Sequence, residues 1–426
     1  MPVAEGCPAR AGAPSGPAFG TAPEPGRPGP VTLPGDGTPL QPSPALAAWR
    51  AVAPATPLDY ADGHRGLVVT DHALARALLE DPRFSMQPAR MPRGPGAPAA
   101  VDGDPPDPLD DAGREAQRAS LLSLDGAEHA RLRRAVAAGF ALKRVRARGP
   151  AVAATVASAL ARFRAEGSPN DLWRRFAQPV AARTHCQVLG VPPDQEDAWV
   201  DLFVEPAPAQ ERHDFIRRLV ALRRADPGED VVSGLLARPD VTDPEVEGLL
   251  FMLMLSGRDS VAYTITTTVL ALLRHPGQLA ALRADPALVG PAVEEFMRVS
   301  AMFLTLFPRT AREDVELAGC PVAAGTTVSV SAVAANRDPQ RWDRPDELDT
   351  GRDAFGHLGF GHGIHGCIGQ QLARVEITEA VRQVLLGLPG LQLVAAEQLA
   401  PLPFAHPVAT YEAGELLVRW DATAPA

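Results

Sequence analysis

One stretch concentrates residue types that could do chemistry: Phe360-Gly361-His362-Gly363-Ile364-His365-Gly366-Cys367-Ile368-Gly369. Three glycines and two histidines precede a single cysteine. The run from Gln370 to Leu388 reads as a helix, so Cys367 stands just before a helix N-terminus. Glycine lets a backbone approach a flat ligand closely and take φ > 0. The helix dipole and its free N–H groups stabilise a thiolate. A thiolate held this way can ligate haem iron, pushing electron density onto it and favouring O–O cleavage. The same residues admit two other readings. One is a buried free cysteine in a glycine turn. The other is a zinc site of His362, His365 and Cys367, although zinc usually takes more thiolates or a recognised histidine spacing.

Three further groups stand out. His129 and Arg133 lie four apart, on one face of a helix that opens at Asp125, and both can point at one anion. Their other reading is a solvated basic face. Thr242-Asp243-Pro244-Glu245 is a helix start, with a capping residue, then Pro, then an acid. An apolar run, Leu249 to Leu255, follows and reads as buried. Ser256-Gly257-Arg258-Asp259-Ser260 then interrupts it, a costly placement in a buried helix unless those residues serve something. A kink with a buried Asp–Arg pair is the alternative. Glu295 and Arg298 lie three apart on a helix begun by Gly290-Pro291, a pattern many helices contain.

Phe-Gly-x-Gly-x-His-x-Cys-x-Gly is similar to the haem-ligand signature of the cytochrome P-450 superfamily, in its soluble bacterial form of the actinobacterial natural-product type. The resemblance implies haem b with Cys367 as axial ligand. It places Phe360, Gly361 and Gly369 around the cofactor, with Phe360 near the sulfur. It gives His129, Arg133, Arg309 and His365 to the haem propionates. By position Asp259 matches the family's acid and Ser260 its alcohol, which together relay protons for O–O cleavage at a bulge in the helix. Ser260 stands where Thr is usual, keeping the hydroxyl without the β-branch that fixes its rotamer. Glu295 and Arg298 match a structural pair, with Arg352 the candidate third member. The resemblance spans about Ala48 to Trp420. It implies a mainly α fold with a small β-sheet region and a single large haem-binding domain over 43–426.

The 426 residues allow a large core, and the net charge of −10 argues against nucleic acid as the main partner. No apolar run is long enough to cross a bilayer, so no membrane is expected. Cys7, Cys186, Cys320 and Cys367 are too scattered for a disulfide framework, which suits a cytoplasmic protein. Residues 1–42 are expected to form a disordered Pro/Gly-rich arm. Met91-Pro92-Arg93-Gly94-Pro95-Gly96 and Asp104-Pro105-Pro106-Asp107-Pro108 interrupt any long helix and read as a loop over the substrate pocket. Phe404, in an expected hairpin from 401 to 418, reaches the same pocket by resemblance.

From Arg131 to Arg148 the chain carries seven cations and no acid. That patch would attract an acidic electron donor, a ferredoxin with its ferredoxin reductase, or is ordinary surface solvation. No flavin or nicotinamide fingerprint is present, so electrons come from a separate protein or from peroxide. The expected activity is dioxygen-dependent oxidation of a small organic, secondary-metabolite substrate. Oxidative coupling of aromatic or cyclodipeptide substrates on the same haem is one alternative. A haem sensor or electron carrier without catalysis is the other.

Overall fold

The computed structural model describes residues 29–60, 63–87, 109–203, 207–317, 319–394, 411 and 414–421. The chain divides into two compact units whose segments interleave. One comprises Met1–Val101, Glu294–Gly366 and Gln398–Gly414; the other comprises Asp102–Val293, Cys367–Glu397 and Glu415–Ala426.

The first unit opens earlier than the expected boundary at 42. Val31 N donates to Pro57 O at 3.0 Å, and Asp59 N donates to Val31 O at 2.8 Å. Val31 and Leu33 pack on Leu58, Tyr60 and Val68. An apolar pair with a strand to bond to satisfies its backbone and buries its side chains, so this part of the chain is structured. Helix α1 (Pro44–Val52) is capped by Ser43 and packs Trp49 inward. Strands β1 (Ala55–Asp59) and β2 (Arg65–Val69) pair antiparallel, with Pro57 opposite Leu67. Helix α2 (His72–Glu80) starts where Asp71 Oδ1 accepts from Leu74 N at 2.9 Å. Strand β3 (Phe84–Ser85) follows. Both Pro/Gly runs between 91 and 108 lie outside the described residues, as does Phe404.

The second unit is helical. In order come α3 (Asp111–Gln117), α4 (Gly126–Ala137), α5 (Leu142–Ala165), β4 (Asn170–Asp171), a π-turn Trp173–Ala177 and α6 (Gln178–Leu189). Then come α7 (Glu196–Phe203), α8 (Ala209–Ala225), α9 (Val231–Leu236), α10 (Asp243–Leu255), α11 (Arg258–Arg274) and α12 (Pro276–Ala284). Pattern alone suggests that α5 starts after Pro150, yet it runs through it. Its buried stripe, Val145, Val152, Val156, Ala159 and Phe163, outweighs the cost of about 3 kcal/mol for an interior proline. Gly190, at φ +95°, ends α6. Arg217 on α8 joins two neighbours: its Nη2 donates to Asp110 Oδ1 at 2.9 Å, beside α3, and its Nε to Glu247 Oε2 on α10 at 3.1 Å.

Helix α13 (Val289–Val299) leads back to the first unit, followed by β5 (Arg309–Ala311), β6 (Val315–Leu317), β7 (Cys320–Val322), β8 (Thr327–Val330) and α14 (Ala332–Ala335). The five-stranded sheet has the order β1-β2-β8-β5-β3, with β2 and β8 parallel. The chain then enters α15 (Gln370–Gly387) of the second unit, which packs on α5 and α11. There β9 (Gln392–Leu393) and β10 (Leu417–Arg419) join β4 in the order β4-β10-β9. Among the described residues no helix is long and apolar enough to cross a membrane.

Candidate active site

Cys367 stands three residues before α15, as its spacing predicts. The protein mass around it pushes its thiol up, although the residue itself keeps contact with solvent. Against that, the N–H groups of Gly369 and Gln370 and the cations Arg133 and Arg374 pull it down. The free thiol is therefore protonated at neutral pH, and those N–H groups and cations are the contacts that would stabilise a thiolate once a metal displaces the proton. A Cβ at Gly369, two residues on, would meet nothing within 4 Å. A soft anionic donor with N–H groups on the sulfur fits a haem-thiolate centre.

Helix α4 carries both His129 and Arg133, and it brings Arg133 to this cysteine. His129 is buried and Arg133 half-buried. Desolvation presses the Arg133 pKa down, while the Cys367 charge raises it. The other cations of the basic stretch divide. Arg131 is committed to Glu245 and to Asp240 O, and Arg148 to Gly139 O at 2.7 Å. Arg134, Lys143, Arg144 and Arg146 are exposed.

The expected bulged helix is two helices. Thr242 and Glu245 form a capping box at the start of α10, which ends at Leu255. Ser256 is extended, and Gly257 takes φ +90°, a conformation only glycine adopts without strain. Helix α11 then begins at Arg258. Asp259 is not buried: its side chain is 58% exposed and accepts from Arg258 Nη1 at 2.8 Å. Residues in the first turn of a helix project from its end, which is why the carboxylate reaches solvent. Arg258 is the buried member of the pair, and Ser260 is half-buried.

The remaining expected residues belong to the first unit. Arg309 is buried on β5, donating to Phe307 O at 3.0 Å and lying against Met86 Sδ. His365 closes the short 3-10 turn Gly363–His365. His362 is engaged by Glu80 of α2. A Cβ at Gly363 would stand 2.4 Å from Leu79 O, so only glycine fits there. Among the described residues no cluster of three or more His, Cys, Asp or Glu side chains could hold a metal ion, which leaves the zinc reading without its ligands. The Phe360 ring lies 5.7 Å from that of His357. Entry to the loop is pinned by Asn336, whose Oδ1 accepts from Leu358 N at 2.7 Å.

Glu295, Arg298 and Arg352 meet as the spacing and resemblance suggest. Arg298 donates twice to Glu295, at 2.7 and 2.8 Å, and Arg352 Nε donates to Glu295 Oε1 at 3.2 Å. Arg298 also donates to the carbonyls of Asn336, Pro345 and Glu347.

Two residues escaped the sequence reading. His185 and Gln178 both lie on α6 and reach the junction of α10 and α11. No motif marks them: they lie seven apart on a helix that also carries Arg183, Thr184 and Gln187.

The cytochrome P450 family model matches residues 205–387. Cytochrome P450 105C1 of a Streptomyces species is 37% identical over 387 residues, covering 88% of this chain and 94% of the relative. Pentalenic acid synthase of Streptomyces avermitilis is 35% identical over 388 residues, covering 87% and 93%. The crystal structure of CYP105P1 in complex with filipin I matches with a TM-score of 0.81 at 32% identity, covering 93% of this chain and all of that one. Identity above 30% along nearly the whole length of such relatives, on the same mainly helical architecture, makes this chain a member of the cytochrome P450 family, an oxidoreductase of the monooxygenase type.

Proposed function

We propose that the protein oxidises a small organic, secondary-metabolite-type substrate with dioxygen, using haem b held by Cys367 and electrons from a ferredoxin and its reductase. The observation that carries this reading is the setting of Cys367: N–H groups of Gly369 and Gln370 against the sulfur, with Arg133 and Arg374 adding positive charge. Relatives named for pentalenic acid and for a filipin I complex support a small organic substrate.

When bound, the haem supplies an iron that activates dioxygen. The chain does the rest. Cys367 gives up its proton and offers a thiolate. The resemblance assigns His129, Arg133, Arg309 and His365 to the propionate carboxylates, each a charge that needs a donor. Asp259 takes protons from solvent through its exposed side and passes them inward. The Ser260 hydroxyl hands them on. Arg134, Lys143, Arg144 and Arg146 present a cationic face to an acidic electron donor.

The test is turnover with labelled dioxygen, ferredoxin, reductase and NADPH, screened against candidate substrates. One labelled oxygen atom in the product is the expected result. An oxidised product without label would replace oxygen insertion with coupling or dehydrogenation.

A further inference from the structure

The junction between α10 and α11 leaves a problem of backbone chemistry. In a continuous α-helix the carbonyl of Leu253 would accept from the N–H of Gly257. Here Gly257 has turned to φ +90°. The Leu253 carbonyl instead accepts from Ser256 N and Ser256 Oγ, both at 3.2 Å, and from His185 Nε2 at 2.8 Å. The shortest of these bonds comes from another helix. The His185 ring also fills the space under the turn: a Cβ at Gly257 would stand 3.0 Å from two of its atoms.

A carbonyl oxygen only accepts, so Nε2 of His185 carries the proton. Burial lowers the His185 pKa to about 4, and the bond to Leu253 O only partly offsets this. The ring is thus a neutral, fixed donor across the physiological range. Two helical turns earlier, on the same face of α6, lies Gln178. Its carboxamide oxygen, assigned from the donors that face it, accepts from Arg258 Nη2 at 2.9 Å and from Trp173 Nε1 at 3.3 Å. Arg258 in turn holds Asp259. One face of α6 therefore grips both sides of the break.

We propose that His185 and Gln178 are positioning residues: His185 holds the helix open at Ser256–Gly257, and Gln178 fixes Arg258, so that Asp259 and Ser260 are presented for proton delivery. The inference rests on the role proposed above for those two residues.

Hydrogen exchange of the Gly257 amide in the holoenzyme tests the first half without reference to turnover. With His185→Leu the Leu253 carbonyl loses its strongest donor, and the helix regains its own bond from Gly257. Exchange at Gly257 should slow by roughly tenfold or more, and product per NADPH should fall with a matching rise in hydrogen peroxide. His185→Gln, which keeps an N–H donor, should restore part of both. Gln178→Leu acts at the other end and should lower product per NADPH with exchange at Gly257 unchanged. Unchanged exchange in His185→Leu would overturn the role of His185 as a wedge that holds the helix open. Slowed exchange with unchanged coupling would overturn its positioning role. If the wild type itself inserts no labelled oxygen, the functional reading fails, while exchange at Gly257 still reports on the wedge.

Discussion

Arg298 donates to Glu295 at 2.7 and 2.8 Å, with both side chains fully buried. Three backbone carbonyls and Arg352 complete the set, so no charge in it lacks a partner. Removing one member of a buried pair strands the other, at a typical cost of about 3–5 kcal/mol. Arg298→Met is therefore expected to destabilise the holoenzyme by about that amount in urea unfolding. A change below about 1 kcal/mol would mean that the pair is dispensable.

Glu376 gives a pH-dependent prediction. It lies on α15, almost wholly buried beside Thr184, and burial raises its pKa well above the usual carboxylate range. The folded chain keeps a proton there that the unfolded chain releases. Stability is then fullest below the unfolded value, near 4.3, and declines as pH rises toward the raised folded value. Glu376→Gln removes the titration, so its melting temperature relative to wild type should climb with pH from the ordinary glutamate range upward. A constant difference across that window would contradict the burial argument.

The cationic face predicts a kinetic effect. Arg144→Glu with Arg146→Glu should slow first-electron transfer from a ferredoxin chiefly through association. The wild-type rate should fall with rising salt, since exposed charges are screened over about 8–10 Å. Stopped-flow reduction at varied ionic strength reads both. A rate that ignores salt and charge reversal would remove the patch from docking.

Asp259→Asn keeps the shape but carries no exchangeable acid, so turnover should drop by roughly 10²-fold or more. Ser260→Ala should leave electron uptake intact and divert it to hydrogen peroxide. Steady-state NADPH, product and peroxide measurements separate the two. Unchanged turnover in Asp259→Asn would mean that protons enter by another route.

Much of this was legible in residue order, and the reasons are local. Thr242-Asp243-Pro244-Glu245 starts α10 because capping chemistry lies within four residues. Cys367 precedes α15 because a glycine loop gives way there to an apolar-periodic run. The Glu295–Arg298 pair was visible as spacing, but its carbonyl partners come from 336 to 347, far along the chain. Polar residues mark the break at Ser256–Gly257, but pattern alone reads it as a bulge in one buried helix. Its geometry depends on His185, about seventy residues earlier, and a lone histidine on α6 carries no local sign of that contact. The exposure of Asp259 is hidden from pattern for the same reason, because it follows from a new helix starting at Arg258.

Cys367 as the iron ligand is tested most directly by one spectrum. The reduced protein under carbon monoxide should show the strongly red-shifted band that thiolate ligation produces. Cys367→Ser replaces the soft anionic donor with an alcohol, and the band should vanish even where some haem is retained. A Cys367→Ser protein that kept the red-shifted band would show that the thiolate comes from elsewhere, and the central assignment would fall.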